Sequence, residues 1–169
     1  MVINSTPTPG GSTRARVLFQ MLLASAERTI SITTPYFLPD KGLVRELCRA
    51  VERGVKIRIL VPGRASDHML TRSTSRGAYG PLLRAGAEVY EYQSSMIHAK
   101  VLVVDELWAV VGSTNFDNRS FGINDEVNLA ACDQAIAARL ERDMAHDLTQ
   151  SRRVSLEEWE HRPVTERAP

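Results

Sequence analysis

No apolar run in these 169 residues approaches the roughly 20 that span a bilayer, and Met1 to Gly11 carries neither the basic nor the apolar region of a secretory leader. The chain is therefore expected to fold in water, while remaining able to lie against a membrane surface. Cysteine is scarce. Cys48 and Cys132 stand far apart among apolar neighbours, which argues against a disulfide framework and suits small buried free thiols in a reducing compartment. An excess of one charge is lacking as well: a formal net charge of +1 gives no general attraction to polyanions, so any anion site must be local. There is no low-complexity tract and no internal repeat, and the pattern His-x-Lys occurs once. His98 has no second histidine or carboxylate at ligand spacing and Lys100 is an ammonium, so a metal site fails on residue type and no metal or cofactor is expected.

What is present is an ordinary globular composition with alternating helix and strand patterns, long enough to bury a core as one domain. Val2 and Ile3 read as a short strand. Thr13 or Ser12 caps a helix from Arg14 to about Glu27 with Val17, Leu18, Met21 and Leu22 as its apolar stripe, and Thr29 to Thr34 is a β-branched strand. Asp40 caps the next helix, which buries Leu43, Val44, Leu47, Cys48 and Val51 and ends at Gly54; Val55 to Val61 then returns as a strand. Asp67 opens a further helix running into the 80s, before the strand Ala87 to Tyr92. Hairpin-like strands follow at Ala99 to Val104, Leu107 to Val111 and Glu126 to Ala131. A helix from Asp133 to about Gln150 carries Ile136, Leu140, Met144 and Leu148. The fold class is α/β, a mixed sheet flanked by helices over residues 1–150, with a charged tail 151–169 expected to pack weakly on Val154, Leu156 and Trp159.

Chemistry concentrates between His98 and Ser120. In an extended strand His98 and Lys100 project to the same side. After a turn at Asp105 and Glu106, the returning strand ends at Gly112, Ser113 and Asn115, which brings a hydroxyl and an amide back toward His98. A phosphodiester needs a nucleophile, donors for its non-bridging oxygens and an acid for the leaving oxygen. Neutral His98 supplies the first, and Lys100, Ser113 and Asn115 supply the donors. A carboxylate behind the imidazole would fix its tautomer, and Glu126 or Asp125 is placed to provide it.

The pattern His98-Ala-Lys100, a four-residue spacer and Asp105, followed by Gly112-Ser113-Thr-Asn115-Phe-Asp117-Asn-Arg119-Ser120, resembles the signature of the phospholipase D superfamily. Thr34 to Asp40, the strand Gly54 to Pro62 and Asn124 to Leu129 resemble its bacterial cardiolipin synthase branch. The resemblance implies a phospholipase D-like α-β-α sandwich and a two-step transfer through a phosphohistidine. By position it assigns His98 as nucleophile or its acid counterpart, Lys100, Asn115 and Ser113 as phosphate ligands, and Glu126 as the carboxylate behind the histidine. Asp105, the third letter of the motif, joins the catalytic set, although its place at a hairpin turn argues for a structural part; Asp117 and Arg119 order the loop. Many relatives have glycine where this chain has Glu106, which implies a turn longer than two residues.

The resemblance also implies two copies of the motif per site. One is present, so a second half is expected in trans, from a homodimer mate or from a preceding domain of which this chain is the C-terminal counterpart. The implied partners are a phosphatidylglycerol-like phospholipid and, peripherally, the cytoplasmic face of a bacterial membrane. Arg64, Arg72 and Arg76, and the tip Tyr36-Phe37-Leu38, are candidates to meet it. A nucleic-acid substrate is disfavoured by the absence of a dense basic stripe. The remaining alternative is an inactive half-domain that only binds phosphate or lipid head groups.

Overall fold

The computed structural model describes residues 1–7, 12–63 and 76–162. Among them, strands β1 (Val2–Ser5), β2 (Thr29–Thr33), β4 (Lys56–Pro62), β5 (Glu88–Tyr92), β6 (Val101–Val104), β7 (Trp108–Gly112), β9 (Glu126–Cys132) and β10 (Ser151–Val154) form an eight-stranded sheet in the order β1-β9-β7-β6-β2-β4-β5-β10. A separate parallel pair joins β3 (Phe37–Leu38) to β8 (Phe116–Asp117). The helices are α1 (Arg14–Ser25), α2 (Lys41–Glu52), α3 (Tyr79–Ala85), α4 (Asn118–Gly122), α5 (Gln134–Leu148) and α6 (Leu156–Glu160). The neighbours β2, β4 and β5 run parallel through crossovers, whereas β6, β7 and β9 are antiparallel. This is the mixed sheet expected.

Strand alternation divides the core in two. Leu102 and Val104 of β6 join the main core with Leu23 of α1, Leu43 and Leu47 of α2 and Leu82 of α3. Val103, between them, points the other way and packs with Ala109 and with Ala137 of α5. Helices α1, α2, α3 and α6 thus form one layer and α5 the other. Local chemistry sets the ends of α2: the Asp40 carboxylate accepts from the N–H groups of Gly42 (2.7 Å) and Leu43 (2.9 Å), and Gly54 takes φ +91° just beyond its last turn.

Four expectations need correction. In α1 the buried residues are Ala15, Phe19, Leu22 and Leu23, while Val17 and Met21 are exposed. The helix is rotated because Phe19 is drawn into a ring cluster with Phe116 (centroids 5.7 Å apart) and Phe121 (5.2 Å). In α5 Ile136 is exposed and Ala137 fully buried, since a small side chain lets the helix approach Val103 and Ala109. Residues 151–162 do not pack loosely: Ser151–Val154 pairs antiparallel with β5 as an edge strand, and Trp159 of α6 is buried with its indole N–H donating to the Arg76 carbonyl at 2.6 Å. Its ring lies where a Cβ on Gly80 would stand, 2.3 Å from Trp159 Cη2. Cys132 is exposed rather than buried; both cysteines are free. The expected cap Asp67 lies outside the described residues.

The β6–β7 hairpin places three residues, Asp105 to Leu107, between the paired Val104 and Trp108, with Asp105 at φ +56° and Glu106 at φ +55°. The Asp105 carboxylate fastens this turn to the loop before β2, accepting from the N–H groups of Glu27 (2.9 Å), Arg28 (2.7 Å) and Thr29 (2.9 Å). Partial burial alone would raise its pKa, but those three donors and the Arg28 charge outweigh it and hold the carboxyl below the ordinary carboxylate value of 3.8. A depressed pKa contributes stability that is present above the unfolded value and lost as pH falls through the folded one. Asp105→Asn is accordingly expected to lower stability at neutral pH by about 2 kcal/mol, the scale of charge-assisted hydrogen bonds at a partly solvated site. In thermal melts followed across pH, the gap from the parent should close well below pH 3.8; a gap that persists unchanged in acid would remove the charge from the explanation.

Candidate active site

The segment His98 to Lys100 leads directly into β6, and its backbone is fixed to the neighbouring strand by the Gly112 N–H, which donates to the Lys100 carbonyl at 3.2 Å. His98 is exposed. Its ring stands edge-on to Tyr36, with centroids 6.3 Å apart and planes at 89°. The Lys100 ammonium donates to the His98 backbone carbonyl at 2.9 Å, which folds the lysine side chain back along its own segment. Burial pushes the Lys100 pKa below the ordinary lysine range, against the pull of Glu126 and Asp117, which favour its charge. Lys100, Glu126 and Asp117 therefore share one electrostatic neighbourhood.

Ser113 reaches that neighbourhood because residue 112 has no side chain. A Cβ on Gly112 would lie 2.3 Å from the Val127 carbonyl oxygen and 2.7 Å from the Asn128 Cα. Glycine lets β9 close against the end of β7. There the Ser113 N–H donates to the Val127 carbonyl at 2.9 Å, the Val127 N–H donates to Ser113 Oγ at 3.0 Å, and the Ser113 hydroxyl donates to Glu126 Oε2. The other carboxylate oxygen of Glu126 accepts from Asn124 Nδ2 at 3.4 Å. Among the described residues no hydrogen bond joins Glu126 to the His98 ring. The carboxylate expected behind the histidine is engaged with Ser113 and Asn124, because β9 presents it to the end of β7.

Asn115 Nδ2 donates to Ser120 Oγ at 3.3 Å, while its Oδ1 is buried with no partner. Exchanging amide O and N is a matter of assignment; turned over, the amide accepts from the Ser120 hydroxyl and presents its N–H2 at the open position. Asp117 is the N-cap of α4, accepting from the Ser120 N–H at 2.7 Å. It orders the loop as expected, with Arg119 exposed beside it.

Other sequence-derived candidates fall elsewhere. Asp105 lies at the far end of β6, bound to backbone, and is not part of the cluster. Arg76 is buried, with its Nε 2.9 Å from Glu91 Oε1, so it is unavailable to an external phosphate. Arg64 and Arg72 lie outside the described residues. In the tip 36–38, Phe37 is fully buried in the core, Tyr36 faces His98, and Leu38 lines a hollow of about 410 Å³ with Pro39, Ala78, Asp117 and Arg119. The influence of Asp117 on Lys100 was not legible in sequence. Its capping role was the nearest signal.

Among the described residues no group of three or more His, Cys, Asp or Glu side chains is arranged to hold a metal, and no helix is long and apolar enough to cross a membrane. An imidazole, an ammonium and a hydroxyl–carboxylate pair toward one end of the sheet are groups with the chemistry to bind and transfer a phosphoryl group.

Comparison with known proteins points the same way. The family model described as "Cardiolipin synthase, PLD-like domain" matches residues 19–148. The chain is 41% identical over 143 residues to the major cardiolipin synthase ClsA of Bacillus subtilis, covering 85% of this chain and 30% of that protein. It is 37% identical over 142 residues to cardiolipin synthase A of Pseudomonas entomophila, covering 84% and 29%. The chain thus spans under a third of the length of these curated relatives. Among solved structures, the fold is similar to Nuc, a phospholipase D family member from Salmonella typhimurium (TM-score 0.76, 23% identity, 92% of this chain and 97% of that one). It is also similar to the phosphatidylserine synthase of Haemophilus influenzae (TM-score 0.80, 16% identity, 98% and 42%).

Proposed function

Because the chain belongs to the cardiolipin synthase, phospholipase D-like family, we propose that it is one catalytic half of a phosphatidyltransferase that works through a phosphohistidine. The observation that carries this reading is an exposed His98 whose backbone carbonyl accepts from a half-buried Lys100 ammonium, itself in the field of the Glu126 that binds Ser113.

A neutral His98 ring nitrogen attacks the phosphorus of a phosphatidylglycerol-like donor. The N–P bond forms, the P–O bond to the leaving alcohol breaks, and the alcohol oxygen takes a proton from an acid. The hydroxyl of a second lipid then attacks phosphorus, losing its proton to that same group, and the P–N bond breaks to free His98. Water in place of that hydroxyl makes the reaction a hydrolysis. Lys100 and Asn115 donate to the non-bridging oxygens, where charge grows in the transition state, and Ser113, whose one proton is held by Glu126, joins them when Glu126 turns to the imidazole. Glu126 positions the Ser113 hydroxyl, and it reaches the imidazole if the ring turns inward once substrate is bound; hydrogen bonds that are absent or long in a free enzyme often tighten in the complex.

In-line displacement needs the acid on the far side of phosphorus from His98, and no second histidine joins this cluster among the described residues. In this reading the acid is supplied by a second half, a homodimer mate or another domain. An uncovered apolar row supports this. Val2, Leu129 and Val111 stand in register on β1, β9 and β7 and are 65%, 52% and 40% exposed. Val127, whose N–H binds Ser113, is 54% exposed beside them. Such a contiguous patch next to a site marks an interaction surface.

Solution mass measured together with turnover tests the reading. Phosphatidylglycerol vesicles should yield transferred lipid and an acid-labile phosphate adduct on His98 when the chain is dimeric or supplied with its second half. Plasmid nicking without lipid turnover would favour a dimeric nuclease, and a monomer inert in every combination would leave a binding module.

A further inference from the structure

Beyond the reacting groups, helix α2 carries a surface of its own. Lys41, Arg45 and Arg49, at i, i+4 and i+8, form one exposed row along it. Of the acids beside this row, Asp40 is engaged elsewhere and Glu46 reaches its Arg49 end. Asp40 caps the helix and pairs with Arg16, Nη1 to Oδ2 2.8 Å. Glu46 lies 3.5 Å from Arg53 and 3.8 Å from Arg49. Lys41 and Arg45 make no ion pair among the described residues. Beside the row, Pro39, Val44, Cys48, Ala78 and Pro81 line a hollow of about 580 Å³, with Glu52 as its single anion among the described residues, at the C-terminal end of the helix. Burial raises the Cys48 thiol pKa, with Glu52 adding to it, so the thiol presents itself uncharged. Cations over an apolar floor make a composite that neither a solvated basic face nor a core seam explains.

This hollow adjoins a second one on the side of Asp117. Pro39 and Ala78 belong both to it and to the 410 Å³ hollow that Asp117 and the exposed Arg119 line. Asp117 in turn acts on Lys100, and Tyr36, three residues before Pro39, stands against His98. Cations over an apolar floor therefore line both hollows, from Arg49 to Arg119 on the side of Asp117.

We infer that the α2 face, Lys41, Arg45 and Arg49 over the Pro39–Val44–Cys48–Pro81 hollow, docks the protein on an anionic phospholipid surface. The cations meet lipid phosphates and part of an acyl chain enters the hollow. The inference rests on the phospholipid reading above and names the surface that delivers such a substrate. The apolar floor distinguishes a lipid from a nucleic acid, whose backbone would meet only charge. Each cation near an anionic leaflet is worth about a fivefold change in partitioning, less at high salt.

The test is sedimentation of the full chain with phosphatidylglycerol vesicles and with neutral phosphatidylcholine vesicles at two salt concentrations. Lys41→Gln/Arg45→Gln should lower binding to the anionic vesicles about 30-fold at low salt. Arg139→Gln/Arg142→Gln, which removes the same charge from α5 on the opposite layer, should leave it within about twofold. Equal losses in the two pairs, indifference to lipid charge, absence of vesicle binding, or binding to DNA alone would each overturn the inference. The His98→Ala protein should bind vesicles like the parent. Anionic binding through α2 without turnover in the parent would therefore sink the catalytic reading and keep this one, while turnover with equal losses in the two pairs would do the reverse.

Discussion

His98→Ala is expected to lower phosphatidyl transfer by at least about 10⁴-fold, the scale seen when a covalent nucleophile is removed and only positioning and oxyanion contacts remain. Stability should hardly move. The ring is exposed and touches Tyr36 only edge-on at 6.3 Å, and surface substitutions away from caps and cores stay within about 0.5 kcal/mol. Rates on phosphatidylglycerol vesicles, set beside a thermal melt, separate the two effects. Parental turnover in this variant would take His98 out of the chemistry, and a large drop in melting temperature would mean the ring supports the fold.

Where chemistry is local, sequence and structure agree. Asp40 and Gly54 bound α2 because a carboxylate cap and a left-handed glycine act within a few residues of themselves. The cluster at His98, Lys100 and Ser113 was legible for a similar reason, since a hairpin returns its second strand to the start of its first. Agreement fails where a distant residue decides. Phe19 turns α1 because Phe116 and Phe121 wait for its ring. Glu126 was expected behind His98, yet the bare backbone of Gly112 admits β9 and hands the carboxylate to Ser113. The C-terminal residues read as a loose charged tail because Arg152 and Arg153 look solvated in sequence. In the fold they alternate along an edge strand and meet Glu91 and Glu88 on β5.

That edge also holds the largest expected effect on stability. Glu91 is 1% exposed and faces Arg76, 5% exposed, at 2.9 Å; Arg152 completes the arrangement at 2.7 Å from Glu91 Oε2 and also pairs with Glu158. Hydrogen bonding to Glu158, against the opposing effect of burial, and then to Glu91 raises the Arg152 pKa well above its ordinary value, so it stays charged at every working pH. Glu91→Ala takes from the buried Arg76 guanidinium the buried carboxylate it faces and leaves it the more exposed Glu158, 3.4 Å away. Losing one partner of a buried pair costs about 3–5 kcal/mol, which for a chain of this length is a fall in melting temperature of roughly 10–15 °C. Arg152→Ala should cost about 1 kcal/mol or less, because its side chain is 42% exposed and Glu91 keeps Arg76. The double replacement Glu91→Leu/Arg76→Met should recover most of the loss, since two matched apolar groups need no counter-charge. Because the Arg76 carbonyl also accepts the Trp159 indole N–H, protease cleavage near α6 should accelerate in Glu91→Ala and slow again in the double variant. A Glu91→Ala protein that melts like the parent would mean water solvates the guanidinium, and the burial assigned to this pair would be wrong.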